Sequence, residues 1–408
     1  MARAVGTRLD GLARRQDIAI ALLHAWHDRP AALRDAVARG ESWLVGEPLE
    51  SLLAIHEAPP ALSDYTVIAS DGSSIDLDRH GLTQCCLINV GAALIRYGAA
   101  PHAALSSSAS LYYSDEDLYV DQSGHGGRGR KGRLPLQGAL VDLKRTLAEL
   151  RRALDLAAAI ADDVPIVVVL DGTLLLWRLA GRAAEEEYVG EALREYGAGL
   201  DRFRALGVPV CSYVSRPNGR EVVNVLRLAA SLDGDDALPS FFDDDDLLPS
   251  PTTSATTADQ DGAGEMLSDL LEPLTDRALM EHLGPGDRSA RFASRSPVLR
   301  YYGDDGDPRG HGRVQFSYLN VGDEVARLEF PRWVGDDPAL LDLVHAVVYD
   351  GCRRGWGYPP ALAEAHEKAI IRAGDRDAFL RMVGAALNDS GRPATVSLKQ
   401  LAKNRRAV

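Results

Sequence analysis

The stretch Tyr65-Thr66-Val67-Ile68-Ala69-Ser70-Asp71-Gly72 decides the fold. Its first six residues form a run of strand length, rich in β-branched and apolar side chains, that passes straight into Asp-Gly. Glycine there lets a backbone turn without the steric penalty of a Cβ. The same pattern recurs as Ile166-Val167-Val168-Val169-Leu170-Asp171-Gly172, apolar throughout, as a central strand covered on both faces requires. Each strand is expected to deliver one carboxylate to the edge of a sheet.

Working outward, Gln84 to Val90 and Ala104 to Tyr113 read as two further strands, so the first three form an antiparallel meander. Leu140, Leu143, Leu147, Leu150, Leu154 and Ala157 recur at three- and four-residue intervals and predict one long amphipathic helix. Glu185 to Leu206 (helix), Val208 to Val214 (strand) and Glu221 to Ala230 (helix) complete the segment. The order of strand, strand, strand, helix, strand, helix, strand, helix predicts an α/β fold with a ribonuclease H-like core, a mixed five-stranded sheet with flanking helices.

The rest of the chain is arranged around that core, residues 61–231. Residues 1–60 read as an N-terminal helical arm, helical from Arg3 to Glu50, whose Leu9, Leu12, Ile18, Leu22 and Leu23 must pack on the core or on a second subunit. Residues 232–264 are an acidic, low-complexity insertion with the composition of a disordered segment. Residues 265–390 contain a hairpin, Arg313 to Val321 and Val325 to Pro331 across Gly322-Asp323, followed by helices from Pro338 to about Leu387. Residues 391–408 are a basic tail.

Composition narrows the function classes. With 408 residues, 46% hydrophobic and 25% charged, the chain matches a folded globular protein and neither a coiled coil nor a collagen-like repeat. Ile18 to Trp26 is too short an apolar stretch to span a bilayer, and no leader is visible, so a cytoplasmic protein without a membrane partner is expected. Four cysteines without a C-x-x-C pair argue against a zinc ribbon and a disulfide framework. The net charge of −14 argues against nucleic acid only until its distribution is read: nine aspartates lie between Asp233 and Asp261 with no Lys or Arg among them. Positive charge is concentrated in the glycine-rich stretch carrying Arg128, Arg130, Lys131 and Arg133, expected to contact DNA phosphates.

Asp71 and Asp171 are the candidate chemistry. On neighbouring strands their carboxylates can share a divalent cation, the arrangement that phosphodiester hydrolysis uses to activate water and stabilise the leaving oxygen. A third ligand is expected on the intervening helix: Glu149 or its rival Asp155. Glu149 lies off the apolar stripe, where a solvated i,i+4 pair with Arg145 is the competing reading. In the C-terminal region Gly355-Trp356-Gly357-Tyr358-Pro359-Pro360 launches a helix on which Leu362, His366 and Ile370 share a face, so His366 is expected to point inward among apolar neighbours.

Together the motifs Asp71-Gly-Ser-Ser, Ile88-Asn-Val-Gly91 with Tyr97-Gly98, Leu170-Asp-Gly-Thr-Leu174, Gly207 to Ser215, Arg327-Leu-Glu-Phe-Pro331 and Gly357-Tyr-Pro-x-x-Leu-x-x-Ala-His366 resemble the NurA nuclease family from about Tyr65 to Leu387. The resemblance implies a Mn²⁺-dependent 5′→3′ nuclease, with Mg²⁺ as the alternative and one or two ions bound. It implies action on single- and double-stranded DNA ends in end resection and repair. It further implies a homodimer that works with a HerA-type hexameric ATPase. By motif, it assigns metal binding to Asp71 and Asp171 and places the family's C-terminal tyrosine and histidine at Tyr358 and His366, which would act in catalysis, His366 as a further ligand or proton carrier; no motif surrounds the helix ligand, for which Glu149 is the choice and Asp155 the rival. Two other readings compete: an ATP-dependent phosphotransferase of the actin and sugar-kinase type, and a non-catalytic DNA-end platform that regulates a translocase.

Overall fold

Val167 and Val169 face one way from the strand Ile166–Asp171, Val168 and Leu170 the other, and all four are buried because helices cover both sides. This strand is the middle of the fold. The computed structural model describes residues 2–39, 44–76, 85–121, 133–160, 163–230, 232, 268–303 and 309–389. Its strands are β1 Gly46–Pro48, β2 Ile55–His56, β3 Tyr65–Ile75, β4 Cys86–Tyr97, β5 His102–Tyr112, β6 Tyr119–Asp121, β7 Arg133–Pro135, β8 Ile166–Asp171, β9 Val210–Val214, β10 Arg288–Ser289, β11 Phe292–Ser294, β12 Val314–Asn320 and β13 Val325–Pro331. Its α-helices are α1 Ala2–Trp26, α2 Pro30–Arg39, α3 Asp115–Leu118, α4 Ala139–Ala159, α5 Ala180–Glu185, α6 Glu187–Ala205, α7 Glu221–Ala230, α8 Arg332–Gly335, α9 Pro338–Arg354, α10 Pro360–Ala369 and α11 Ala373–Asp389.

The main sheet runs β1-β11-β12-β13-β9-β8-β3-β4-β5, with β10 and β2 attached through β12. β3, β8 and β9 are parallel, and β3-β4-β5 is the antiparallel meander. This α/β arrangement is ribonuclease H-like. The five expected strands form the contiguous half β9-β8-β3-β4-β5, but among the described residues the sheet has eleven strands, because the hairpin β12–β13 adds to β9 through antiparallel pairing of β13. An unpaired β9 would expose a row of backbone donors and acceptors, which β13 satisfies. Helices α4 and α6 cover one face through Leu143, Leu147, Leu193 and Phe203 against Ile68, Val168 and Val210. Helices α9 and α10 cover the other through Val344, Val348, Leu362 and Ala365 against Val67, Ala69, Val167 and Val169.

The N-terminal segment departs from the expected continuous arm. Helix ends at Arg39, and Gly46–Pro48 forms β1 on β11, with Pro48 on an outer strand where its missing N–H costs no central ladder bond. Leu22, Leu23, Trp26 and Leu33 share one core cluster with Val222 and Leu226 of α7, on which α1 and α2 pack, and with Phe292 and Phe316. Of the two destinations open to this apolar surface, the chain's own core takes it. The cysteines Cys85, Cys86, Cys211 and Cys352 are free and buried. Among the described residues no helix is long and apolar enough to cross a membrane. Arg128, Arg130, Lys131, the aspartate-rich insertion and the basic tail lie outside the described residues. Arg133 opens β7, with a guanidinium nitrogen 3.6 Å from Asp115.

β3 does not end at Asp71-Gly72. It continues to Ile75, and Gly72 pairs with Val90 in an unbroken ladder. Glycine there leaves room for a close approach: a β-carbon would push aside the side chains of Glu149 and Arg145 on α4. Gly172 is the true turn, with φ +78°. A second close approach seats α10, where a β-carbon on Gly91 would strike the backbone of Ala365, Lys368 and Ala369. Asn89 Nδ2 donates to the carbonyls of Lys368 (3.0 Å) and Ala369 (2.9 Å), and the Ser73 hydroxyl donates to the Ala369 carbonyl, satisfying the last carbonyls of α10.

Two outcomes follow from this packing. Gly91→Ala should lift α10 from β4 and lower stability by about 1–3 kcal/mol, as overpacking against backbone does; urea denaturation measures it, and an unchanged midpoint would mean α10 is not seated on Gly91. His345 of α9 donates from Nε2 to the Gly286 carbonyl at 2.7 Å, and its Nδ1 is buried without a hydrogen-bond partner. Burial therefore holds its pKa down at about 4, against an ordinary 6.5. The unfolded chain binds this proton first, so stability should fall as pH drops from 6.5 to about 4, by roughly 3 kcal/mol from this group. His345→Gln should flatten that acid limb in thermal melts taken across the window.

Candidate functional site

The parallel register of β3 and β8 pairs Ser70 with Leu170, so Asp71, inside β3, and Asp171, the last residue of β8, come next to each other where the pairing of the two strands ends. In open α/β sheets this end is where ligands bind. Asp171 precedes Gly172, whose N–H donates to the Tyr213 carbonyl at 3.0 Å and so fixes the turn. Burial pushes the Asp171 carboxyl up from its ordinary value; the Tyr358 hydroxyl partly counters this and the charge of Asp71 adds to it. A cavity of about 300 Å³ opens at these strand ends, lined by Ser70, Asp71, Arg145, Glu149, Asp171 and Thr173 among others.

Helix α4 brings Glu149 into this cavity. The Ser70 hydroxyl donates to the Glu149 carbonyl at 2.9 Å, tying the helix to β3 beside Asp71. Glu149 makes the i,i+4 pair with Arg145 at 3.4 Å, but it is half-buried against the sheet and not solvated as that pair alone would suggest. Burial raises its carboxyl to about 7; Arg145 opposes the shift, while the charges of Asp71 and Asp171 reinforce it. Asp155, the rival on the same helix, is exposed and does not line the cavity.

The opposite face of the sheet supplies the C-terminal pair. His366 does not point inward: Ala361, Leu362, Ala365 and Ala369 form the buried stripe of α10, and His366 lies beside it, exposed, with Nδ1 2.6 Å from Asp71 Oδ2. The seat on Gly91 sets which face of α10 meets the sheet, and that decides the histidine's direction. A carboxylate accepts, so Nδ1 donates, and in the neutral ring the lone pair then sits on Nε2. Tyr358 donates its hydroxyl to Asp171 Oδ1 at 3.1 Å, and its ring packs edge-on against Tyr213 at 5.5 Å. Burial, and then the Asp171 charge, raise the Tyr358 hydroxyl well above its usual range, so it remains a donor.

One supporting residue escaped the sequence reading. Glu329 on β13 accepts from the Thr173 hydroxyl (2.8 Å) and the Leu174 N–H (2.7 Å), pinning the loop that follows Asp171. Its other oxygen accepts from Arg327 Nε at 2.8 Å, and Arg327 also pairs with Glu221. The signal was present in Arg327-Leu-Glu-Phe-Pro331: opposite charges two apart on a strand share one face, and both are buried.

Asp71, Asp171 and Glu149 are hard oxygen donors suited to Mg²⁺ or Mn²⁺. As placed, they are directed to His366, Tyr358 and Arg145, and among the described residues no three His, Cys, Asp or Glu side chains close on one point in a metal-holding group. The fit to a cation rests on the donor set: three carboxylates, Asp71, Glu149 and Asp171, line one cavity with Arg145 beside Glu149, and a divalent ion there would offset their mutual repulsion.

Comparison with solved structures finds the crystal structure of LC9-RNase H1, a type 1 RNase H with the type 2 active-site motif. It is 11% identical, with a TM-score of 0.22, over 42% of this chain and 72% of that one. Comparison with curated proteins finds no match. The family model of the NurA domain matches residues 65–371, from the first residue of β3 to just beyond α10, and so takes in both aspartates, Glu149, Tyr358 and His366. On that match, the chain belongs to the NurA family.

Proposed function

We propose that this chain is a divalent-metal-dependent DNA nuclease whose centre is Asp71, Glu149 and Asp171, served by His366 and Tyr358. One observation supports this reading above the others: the three carboxylates stand at one cavity, with Glu149 raised to about 7 by burial and by its two neighbours. A bound Mn²⁺ or Mg²⁺ would supply Lewis acidity toward the phosphodiester and its attacking water. The chain's own groups do the rest. Asp71 holds His366 through Nδ1, which leaves the lone pair on Nε2 to accept a proton from the incoming water or to serve as a further ligand. Tyr358 holds one oxygen of Asp171 and keeps its hydroxyl proton, so it would orient that carboxylate toward the cation. Arg145 keeps Glu149 partly compensated until the cation arrives.

Membership of the NurA family extends the proposal to 5′→3′ trimming of single- and double-stranded ends, with Mn²⁺ as the working ion, a homodimer as the working form and a HerA-type ATPase as partner. The stretch carrying Arg128, Arg130 and Lys131 is proposed as a phosphate contact.

Asp71→Asn and Asp171→Asn should each lower Mn²⁺-dependent cleavage of end-labelled oligonucleotides by about 10³-fold, on the order of 4 kcal/mol of barrier, with the fold retained by circular dichroism. Wild-type rates in either variant would remove that aspartate from the centre. Millimolar Mn²⁺ should raise the melting temperature of the wild-type chain and leave that of the double variant unmoved, since a ligand of the native state alone stabilises it. Equal shifts in both would place the ion elsewhere.

A further inference from the structure

Among the described residues only two that are not glycine have a left-handed backbone, Arg216 with φ +45° and Trp356 with φ +56°. Such values are uncommon for any residue and an outlier for one as bulky as tryptophan. Both sit at the same rim. Trp356 follows the end of α9, where Gly355 N–H donates to the Gly351 carbonyl (2.9 Å) and Gly357 N–H to the Cys352 carbonyl (2.8 Å). In this helix-ending motif the left-handed position is ordinarily glycine's, yet here the glycines flank it and tryptophan occupies it.

The indole gains nothing by packing, since Trp356 is 98% exposed. Its mount is nonetheless rigid. A β-carbon on Gly355 would strike the Tyr358 carbonyl, and the Gly357 carbonyl lies 3.3 Å from the Tyr213 hydroxyl. Tyr213 pairs in register with Asp171, and Tyr358 reaches the carboxylate of Asp171. Arg216 belongs to the same set: its Nε is 3.4 Å from Glu324, which also accepts from Tyr213 at 3.0 Å. The Arg216 side chain is 79% exposed and follows β9, whose carboxyl end lies beside that of β8.

We infer that Trp356 and Arg216 form a substrate grip beside the carboxylate centre, the indole stacking on a base of a single-stranded DNA segment and the guanidinium pairing with a neighbouring backbone phosphate. An exposed aromatic on a fixed mount suits stacking, which every base supports, and a cation beside it suits a polyanionic strand. Two strained residues on one rim fit a site that trades stability for a fixed presentation of side chains. The inference rests on the nuclease reading for the identity of the polymer.

The test compares binding, without divalent metal so that no cleavage occurs, of a fluorescent oligothymidine and an abasic deoxyribose-phosphate oligomer of the same length. Trp356→Gly should melt no lower than the wild type, because glycine accepts the left-handed backbone. It should nonetheless lose about tenfold in affinity for oligothymidine and nothing for the abasic strand. Trp356→Phe should restore most of that loss. Arg216→Gln should weaken both strands and reduce the slope of log affinity against log salt by about 0.7, one single-strand phosphate contact. Unchanged oligothymidine affinity in Trp356→Gly, or equal losses on both strands, overturns the stacking role; an unchanged salt slope in Arg216→Gln overturns the phosphate contact. A Trp356→Gly variant that changes mass in light scattering while binding DNA normally would overturn the grip in favour of a contact with a second copy. The nuclease reading stands or falls separately, on wild-type cleavage with Mn²⁺: a chain that shows the stacking signature and never cleaves keeps the grip and loses the nuclease.

Discussion

Placing β3 beside β8 in parallel forces two carboxylates together. With Ser70 opposite Leu170, Asp71 and Asp171 can only be neighbours, on strands about 4.8 Å apart. Like charges so close repel, and the surrounding structure answers by giving each acid its own companion. Asp71 has His366, Asp171 has Tyr358, and Glu149 has Arg145. Two of these companions come from the C-terminal region, His366 on α10 and Tyr358 in the turn before it, and α10 lies against β4 because Gly91 leaves room for it. The site is therefore assembled from both faces of the sheet, and its charge balance depends on how closely each helix approaches.

A second set of charges stabilises the frame. Arg327 is fully enclosed between Glu221 and Glu329, with its guanidinium 3.6 Å from the centre of the Phe316 ring. Burial opposes its charge, and the two carboxylates more than restore it. Such a triad is costly to desolvate, and removing one member would leave an uncompensated buried charge worth about 3–5 kcal/mol. What this network supplies is position: Glu329 reaches past Arg327 to hold Thr173 and Leu174, so the loop after Asp171 is anchored to the C-terminal hairpin and not to its own strand. The eleven-stranded sheet thus has a functional consequence, since β13 brings that anchor to β9 and β8.

Much of the architecture was legible from pattern alone. The apolar run Ile166 to Leu170 and the stripe from Leu140 to Ala157 correspond to a strand buried on both faces and a helix buried on one, because burial selects side chains at the period of the element that carries them. The pair Asp71 and Asp171 was legible because each follows an apolar run of strand length. Other readings failed where a local signal has two physical causes. Asp-Gly marks a turn at Gly172, yet Gly72 lies within an unbroken strand and is small so that Glu149 and Arg145 can approach. His366 shares a helical face with Leu362 by spacing, yet the seat on Gly91 rotates α10 so that Leu362 is buried and the histidine turns outward to Asp71. The apolar residues of α1 demanded a partner, and only the folded chain shows that α7 and the turn Asp276–Met280 provide it.

The sequence by itself determined which segments are strands and helices and which strands carry the two aspartates, since hydrophobic period is a local property of the chain. It also carried the ordered set of motifs by which the chain is placed in its family. Only the tertiary structure decided that Glu149 and not Asp155 lines the cavity, that Glu329 anchors the loop after Asp171, and that Arg216 and Trp356 stand at one rim. These depend on helix rotation, strand order and backbone dihedrals, and such quantities arise from contacts between residues far apart in the chain, where no local pattern records them.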